Sequence, residues 1–364
     1  MDKLFFVDKN NVSYQDLLDY VNGVSENNYS YHELFFLDMI RKLAGQKVKS
    51  IDDLIFTMQS NNNSIELLTS GTTGEPKKII HHYRNMVRNI KISNDRFDDV
   101  WALFYQPDRM AGYQVLFQAL LNKNTLINMF GYNYEQVSDR INKYEVTHMS
   151  ATPTFFKMIS SNGNSFNNIK QITLGGEGSN LKFHKLLKNS FPNAKFINIY
   201  ASTEAGSLFA SKGEYFHIPF KYKNLVKVEN DELLIHKQLL GKSGHIHLND
   251  GWYNTGDLVE FKNDHEFCIK GRSANVIKVG GYIVNIEAVE NKINNIDFIK
   301  LCKVYAKESS VLGNILLCDL VLNRDVVLLE IKQFFQKQLK RFEIPAKINI
   351  VKSIELNENG KIKR

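Results

Sequence analysis

The segment Thr69-Ser70-Gly71-Thr72-Thr73-Gly74-Glu75-Pro76-Lys77 gathers hydroxyls, glycines and a lysine directly after a short apolar run at 65–68. Glycines let a ligand approach the backbone, hydroxyls and N–H groups donate hydrogen bonds, and the lysine adds charge, so this composition suits a polyphosphate. It is not a Walker A loop, because no Gly-Lys-Ser/Thr follows at that motif's spacing. Standing alone, the same residues also describe a flexible polar turn.

A phosphate-binding loop needs elements that hold it. Short apolar runs at 101–105, 125–129, 147–149, 172–174 and 196–200 are separated by amphipathic stretches such as 135–144 and 181–189. This is the pattern of an α/β fold with a doubly wound, mostly parallel sheet across 64–205. The strand 65–68 is expected to open the series, and a helical stretch through Arg84 and Arg88 to follow the loop. Ligands of such sheets sit beyond the carboxyl ends of the strands.

From 205 to 270 short strands with Gly, Asn and Asp turns predict a small antiparallel β appendage. After Gly271 come a strand, a helix at 286–293, strands at 298–305 and 315–322, a helix at 326–339 and a strand at 347–351, together a small C-terminal α+β domain. The expected division is a large N-terminal domain at 1–270 and a second domain at 271–364, meeting near 270–274.

At 364 residues with 43% apolar and 23% charged side chains, the chain can bury a sizeable core and is not of disordered composition. It contains no run of about 18 apolar residues, and Asp2, Lys3, Asp8 and Lys9 crowd its start. No membrane span or signal peptide is expected, and a cytoplasmic location is. Cys268, Cys302 and Cys318 form no CxxC pair and read as buried small hydrophobes. The net charge of +7 is thinly spread, without the alternation of basic and stacking aromatic residues that a nucleic-acid groove requires. It is compatible with a small polyanion such as a nucleotide.

The loop is one of several motifs that occur together. Downstream lie Gly175-Gly176-Glu177, Tyr200-Ala201-Ser202-Thr203-Glu204, Trp252-Tyr253-Asn254-Thr255-Gly256-Asp257, Gly271-Arg272 through Lys278-Val279-Gly280-Gly281-Tyr282, and Asn359-Gly360-Lys361. In content and order the set resembles the adenylate-forming superfamily, which includes acyl-CoA synthetases, peptide-synthetase adenylation domains and luciferases. The opening, Phe6-Val7-Asp8 to Ser13-Tyr14-Leu17, is similar to that family's start.

The resemblance implies a role for each match. Thr69, Ser70, Gly71, Thr72, Thr73, Gly74 and Lys77 would hold the β- and γ-phosphates of ATP, and Gly175, Gly176 and Glu177 would lie on the adenine side. Tyr200 would stack on adenine, with Ala201 beside it in the nucleotide site, Thr203 would hydrogen-bond the α-phosphate, and Glu204 would ligate Mg²⁺, a hard cation suited to carboxylate and phosphate oxygen. Asp257 would accept from the ribose hydroxyls with Arg272 assisting. Lys361 would offset the repulsion as a carboxylate meets the α-phosphate. The C-terminal domain would then rotate, bringing Lys278 and the Gly280-Gly281 loop to the arm of coenzyme A or of carrier-protein pantetheine.

Departures from the family pattern bear on substrate and architecture. A charged hinge residue is replaced by Ala274, and Arg109 stands where relatives carry a histidine or aromatic near the acyl pocket. Arg109 is expected either to bind a polar group of the substrate or to pair structurally with Asp108 or another acid. The phosphate loop comes early in the chain, so the N-terminal region is shortened, with 31–44 one remaining helix. A shallower pocket, and a small or medium carboxylic acid rather than a long fatty acid, follow. The resemblance thus implies ATP-dependent formation of an acyl-adenylate and then of a CoA thioester. The alternatives are loading of a carrier protein on a separate chain, and a catalytically degenerate nucleotide-binding protein.

Overall fold

Eight strands form the central sheet of the computed structural model, which describes residues 3–69, 77–161, 163–309, 313–357 and 361–363. Their order is Gly206–Ser211, Lys195–Ser202, Gln171–Gly175, His148–Ala151, Val100–Leu103, Thr125–Asn128, Leu4–Val7 and Asn11–Ser13. The six inner strands run parallel, and the strand at each edge is antiparallel to its neighbour. The expected doubly wound α/β sheet is present.

Alternation along the strands builds two cores, one on each face. Trp101 and Leu103 join Phe5, Phe6 and Leu126 beneath the helices Tyr14–Asn22, Tyr31–Ala44, Ile51–Asn61 and Met110–Leu121. Ala102, Phe104, Val7 and Ile127 face the other way, under Tyr134–Lys143, Pro153–Ser160 and Leu181–Leu187. Local signals start several helices: Ser13 with Asp16 and Ser30 with Glu33 make reciprocal capping boxes.

Two details differ from the sequence expectation. The strand Ser64–Thr69 does not enter the main sheet but pairs antiparallel with Lys77–His82. The stretch after the loop is therefore a strand, and the helix behind it is only Tyr83–Val87. Ile79 and His81 bury on one side of that strand, a period of two that the run of similar residues conceals. Leu4–Val7, unassigned by pattern, adds to the sheet beside Thr125–Asn128.

A five-stranded antiparallel sheet follows, in the order Phe216–His217, Glu266–Arg272, Trp252–Asn263, Glu232–His236 and Val226–Glu229. Beyond it, the hairpin Val276–Val279/Tyr282–Asn285 and helix Ile286–Asn294 precede a three-stranded sheet, Ile299–Ser309, Gly313–Leu322 and Lys347–Ile350, backed by helix Leu328–Gln338. This unit has its own core around Ile293, Cys302, Val304, Cys318 and Phe335. Cys268, Cys302 and Cys318 are all buried and unpaired to one another. Among the described residues no helix is long and apolar enough to cross a membrane.

Candidate functional site

The carboxyl ends of adjacent parallel strands assemble the site. Gln171–Gly175 and Lys195–Ser202 are paired through Gly175 and Ile199, so Gly175-Gly176-Glu177 and Tyr200 to Glu204 leave the sheet side by side. Tyr200 is buried, its ring 5.7 Å from that of Phe209, and its hydroxyl donates to Asp257 Oδ2 at 2.6 Å. Asp257 lies directly across from Arg272 in the antiparallel sheet. Its Oδ1 receives Arg272 Nε at 2.9 Å, while Arg272 Nη1 donates to Thr255 O at 2.8 Å.

Burial dominates the electrostatics of this triad. It pushes the Asp257 carboxyl above its ordinary range, against the opposing pull of Arg272 and of the bond from Tyr200. Burial, and then Asp257, also raises the Tyr200 phenol, which therefore stays protonated and donating.

Lys361 enters from the C-terminal unit. Its backbone N–H donates to Asn357 Oδ1 at 3.0 Å and its carbonyl accepts from Asn357 N at 2.7 Å, so two bonds tie the residue to Asn357. Gly176 adopts φ +80°, and a Cβ there would lie 2.8 Å from Lys361 Cε and 3.0 Å from Nζ. A side chain here would be strained at this φ and would require the tip of Lys361 to shift. Burial pulls the Lys361 ammonium below its ordinary range, while Glu177, Glu287 and Asp257 draw it upward and Arg272 opposes them. The ammonium thus sits among Glu177, Arg272, Glu287 and Asp257, at the junction of the units. Glu287 accepts from Arg272 N at 3.2 Å and from Asn275 Nδ2 at 2.7 Å, tying down the segment where the two units meet.

The Thr203-Glu204 turn is clamped from behind. His81 Nε2 lies 2.7 Å from Thr203 O, Gly241 N donates to Glu204 O at 2.8 Å, and Arg88 reaches Ala205 O. A Cβ at Gly241 would meet His81 Nε2 at 2.6 Å, so this glycine too is required by a close approach. His81 belongs to the strand Lys77–His82, so that strand and the Thr203-Glu204 segment are tied together. Burial holds the His81 imidazole below its usual range. Among the described residues no three His, Cys, Asp or Glu side chains cluster to cage a metal. Mg²⁺ needs no such cage, since it takes one or two carboxylates together with substrate phosphates, and the carboxylate of Glu204 is compatible with that.

The remaining sequence-derived residues fall elsewhere. Ser70, Gly71, Thr72, Thr73 and Gly74 lie outside the described residues, as do Asn359 and Gly360; Thr69 and Lys77 face each other as the last pair of the hairpin. Arg109 Nη1 donates to Leu68 O at 2.6 Å and its Nε is 3.5 Å from Asp108 Oδ1, so it braces the strand entering the loop. Lys278, Gly280 and Gly281 sit on the exposed hairpin, with φ +54° and +87° at the glycines. Among the described residues its packing runs within the C-terminal unit: Tyr282 stacks on Phe342 at 4.4 Å and Lys278 O accepts from Asn314 at 3.1 Å.

Sequence reading did not single out His81, Tyr253, Glu287 or Lys157. Tyr253 is raised to about 12, by burial first and then by Glu204. His81 carries a weak signal, a polar residue on the inward face of a period-two run. Glu287 and Lys157 carry none, because their partners come from distant parts of the chain.

The structure thus combines an α/β body, with polar and glycine-containing segments at its strand ends, and a small C-terminal unit that brings Lys361 beside them. Residues 39–228, just over half of the chain, match the AMP-binding enzyme family, and the chain belongs to it. The chain is 24% identical over 325 residues to the 2-succinylbenzoate–CoA ligase of Staphylococcus epidermidis, covering 82% of this chain and 68% of that protein. It is also 24% identical over 356 residues to the D-alanine–D-alanyl carrier protein ligase of Staphylococcus aureus, covering 86% and 73%. Against bacitracin synthase 3 of Bacillus licheniformis it is 22% identical, with 87% of the chain matched but only 6% of that much longer protein. Its fold matches that of the o-succinylbenzoate coenzyme A synthetase of Bacillus subtilis in complex with AMP, with a TM-score of 0.71, 17% identity, and 99% and 94% of the two chains covered.

Proposed function

We propose that this chain uses Mg-ATP to convert a small or medium carboxylic acid into an acyl-adenylate, and then transfers the acyl group to coenzyme A. In the first step a carboxylate oxygen attacks the α-phosphorus and pyrophosphate leaves. In the second a thiolate attacks the acyl carbonyl and AMP leaves. The observation that carries this reading is Lys361 threaded past Gly176 to the Asp257–Arg272 pair, since simple nucleotide binding has no need of an ammonium delivered from another unit.

The protein groups divide the work. Asp257 would hold the ribose, with Tyr200 and Arg272 fixing its two oxygens. Glu204 would hold Mg²⁺, which when bound neutralises phosphate charge. Thr69 to Lys77 would hold the departing phosphates, and Thr203 the α-phosphate. Lys361 would balance the charge that gathers as two anions meet. The domain division near 270–274, and the use of Lys278, Gly280 and Gly281 by the thiol arm after rotation, are part of the same proposal. A compact acid is supported by the names of the succinylbenzoate and D-alanine relatives and a long acyl chain by that of a 26%-identical putative long chain fatty acid–CoA ligase, and the acid panel below decides between them.

Loading of a separate carrier protein is the second reading, favoured by the D-alanyl carrier protein ligase among the relatives. The test is pyrophosphate release from Mg-ATP across a panel of acids, with and without coenzyme A, beside Lys361→Ala. CoA-dependent turnover with a compact acid, lost in Lys361→Ala, supports the ligase. Acid-dependent release indifferent to coenzyme A moves the reading to carrier loading, an optimum at long acyl chains refutes the size preference, and no release with any acid overturns catalysis.

A further inference from the structure

Lys157 lies on the inward side of helix Pro153–Ser160 and is only 7% exposed. Its ammonium donates to Asn294 O and lies 3.3 Å from Asn294 Oδ1. Both acceptors belong to the last residue of helix Ile286–Asn294, in the C-terminal unit. A cation there meets the negative end of the helix dipole and its unsatisfied carbonyls. Asn294 Oδ1 also accepts from Cys302 N at 3.0 Å, so the asparagine ties the helix end to strand Ile299–Ser309.

Burial pulls the Lys157 amine down to about 7. The neighbouring Cys302 thiol is held protonated by its own burial. If this position only needed filling, an apolar side chain would serve better, since burying an ammonium costs free energy unless every donor is met. What a lysine adds is dependence on orientation: its acceptors exist only while the C-terminal unit sits as it does here. When the unit moves away, the ammonium returns to water.

The same helices connect this contact to the site. Thr154 N, in the first turn of the Lys157 helix, donates to Glu177 Oε2 at 2.9 Å, and Glu177 is the leading attraction on Lys361. On the other side Glu287, Asn291 and Asn294 recur at helical spacing along one face. Glu287 holds Arg272 N, Asn291 reaches Gly178, whose Cβ position is 3.3 Å from Asn291 Nδ2, and Asn294 takes Lys157.

We propose that Lys157 is a positioning residue: by capping the helix that ends at Asn294, it docks the C-terminal unit in the orientation that puts Lys361 beside Gly176, and so favours the adenylate-forming step over the thiol step. The catalytic half of this statement rests on the function proposed above; the docking half does not.

The test uses the full chain with Gly178→Cys and Asn291→Cys introduced together, since the native cysteines are buried. Disulfide formation between the two reports docking without any substrate. In this background Lys157→Met should slow cross-linking about tenfold, the loss expected for one charge-assisted hydrogen bond. Asn294→Asp, which keeps the acceptors and adds a charge to meet the ammonium, should speed it. In the chain without added cysteines, Lys157→Met should slow acid-dependent pyrophosphate exchange about as much, while acyl transfer from preformed acyl-adenylate to thiol is maintained. A merely structural lysine would lower both steps in parallel. Unchanged cross-linking in both variants, or a parallel loss of both steps, overturns the proposal. If Lys157→Met does not fold, the rate with Asn294→Asp decides. If cross-linking responds as expected but wild type shows no exchange with any acid, docking stands and the catalytic reading falls.

Discussion

Replacing Asp257 by Asn separates a binding role from a structural one, because the local geometry sets different sizes for the two effects. Each carboxylate oxygen already accepts one bond, from Tyr200 and from Arg272, at 2.6 and 2.9 Å. A carboxylate offers about four acceptor sites, so about two remain for a ribose diol. Asn keeps one oxygen and exchanges the other for a donor. One hydrogen bond to a charged acceptor, worth about 1.5–3 kcal/mol, is then lost from the nucleotide complex. The expected rise in the KM for ATP is about ten- to a hundredfold.

The cost to folding should be smaller. Arg272 is half exposed and stays solvated when its partner loses charge, so that pair is worth about 1 kcal/mol or less. Burial already disfavours the Asp257 charge, and a neutral amide avoids that penalty. Pyrophosphate exchange titrated with ATP, beside a thermal melt, measures both quantities. A large fall in melting temperature with an unchanged KM would refute the reasoning and leave Asp257 as a structural group alone.

Gly176→Ala places a methyl 2.8 Å from Lys361 Cε at φ +80°, where a side chain costs about 1 kcal/mol in strain; pyrophosphate exchange should fall more than tenfold with nucleotide binding retained, and normal exchange would show that Lys361 does not act from this position. Because burial lowers the Lys361 pKa, its charge is present at lower pH and lost on the alkaline side. The adenylate-forming rate should therefore drop before the ordinary lysine value of 10.5 is reached, and a pH profile with no such alkaline limb contradicts the role. His81→Phe removes the partner of Thr203 O, and should raise the Mg-ATP concentration for half-maximal exchange severalfold. That change should be insensitive to pH near neutrality, since the buried imidazole titrates below its usual value; a pH-dependent wild type would count against it.

Much of the fold was legible because its signals are local. Short apolar runs at 101–105 and 125–129 marked strands buried on both faces, and the amphipathic stretches 135–144 and 181–189 marked the helices between strands. Where pairing was non-local, pattern failed. Lys77–His82 reads as helix in isolation and becomes a strand only because Ser64–Thr69 returns to pair with it. Leu4–Val7 is too short to declare itself without Thr125–Asn128 beside it.

The sequence by itself determined the chemical types present and their order along the chain: a hydroxyl- and glycine-rich loop, Tyr200, Glu204, Asp257, Arg272 and Lys361. It determined these because composition and short-range spacing depend on residues that are neighbours in the chain. Tertiary structure alone decided that Tyr200 and Arg272 share the two oxygens of Asp257, that His81 supports Thr203, and that Lys361 passes over Gly176. It also decided that Lys157 meets Asn294. These contacts depend on how separately built cores pack, and the burial that shifts Tyr200, Asp257 and Lys361 exists only once they have packed.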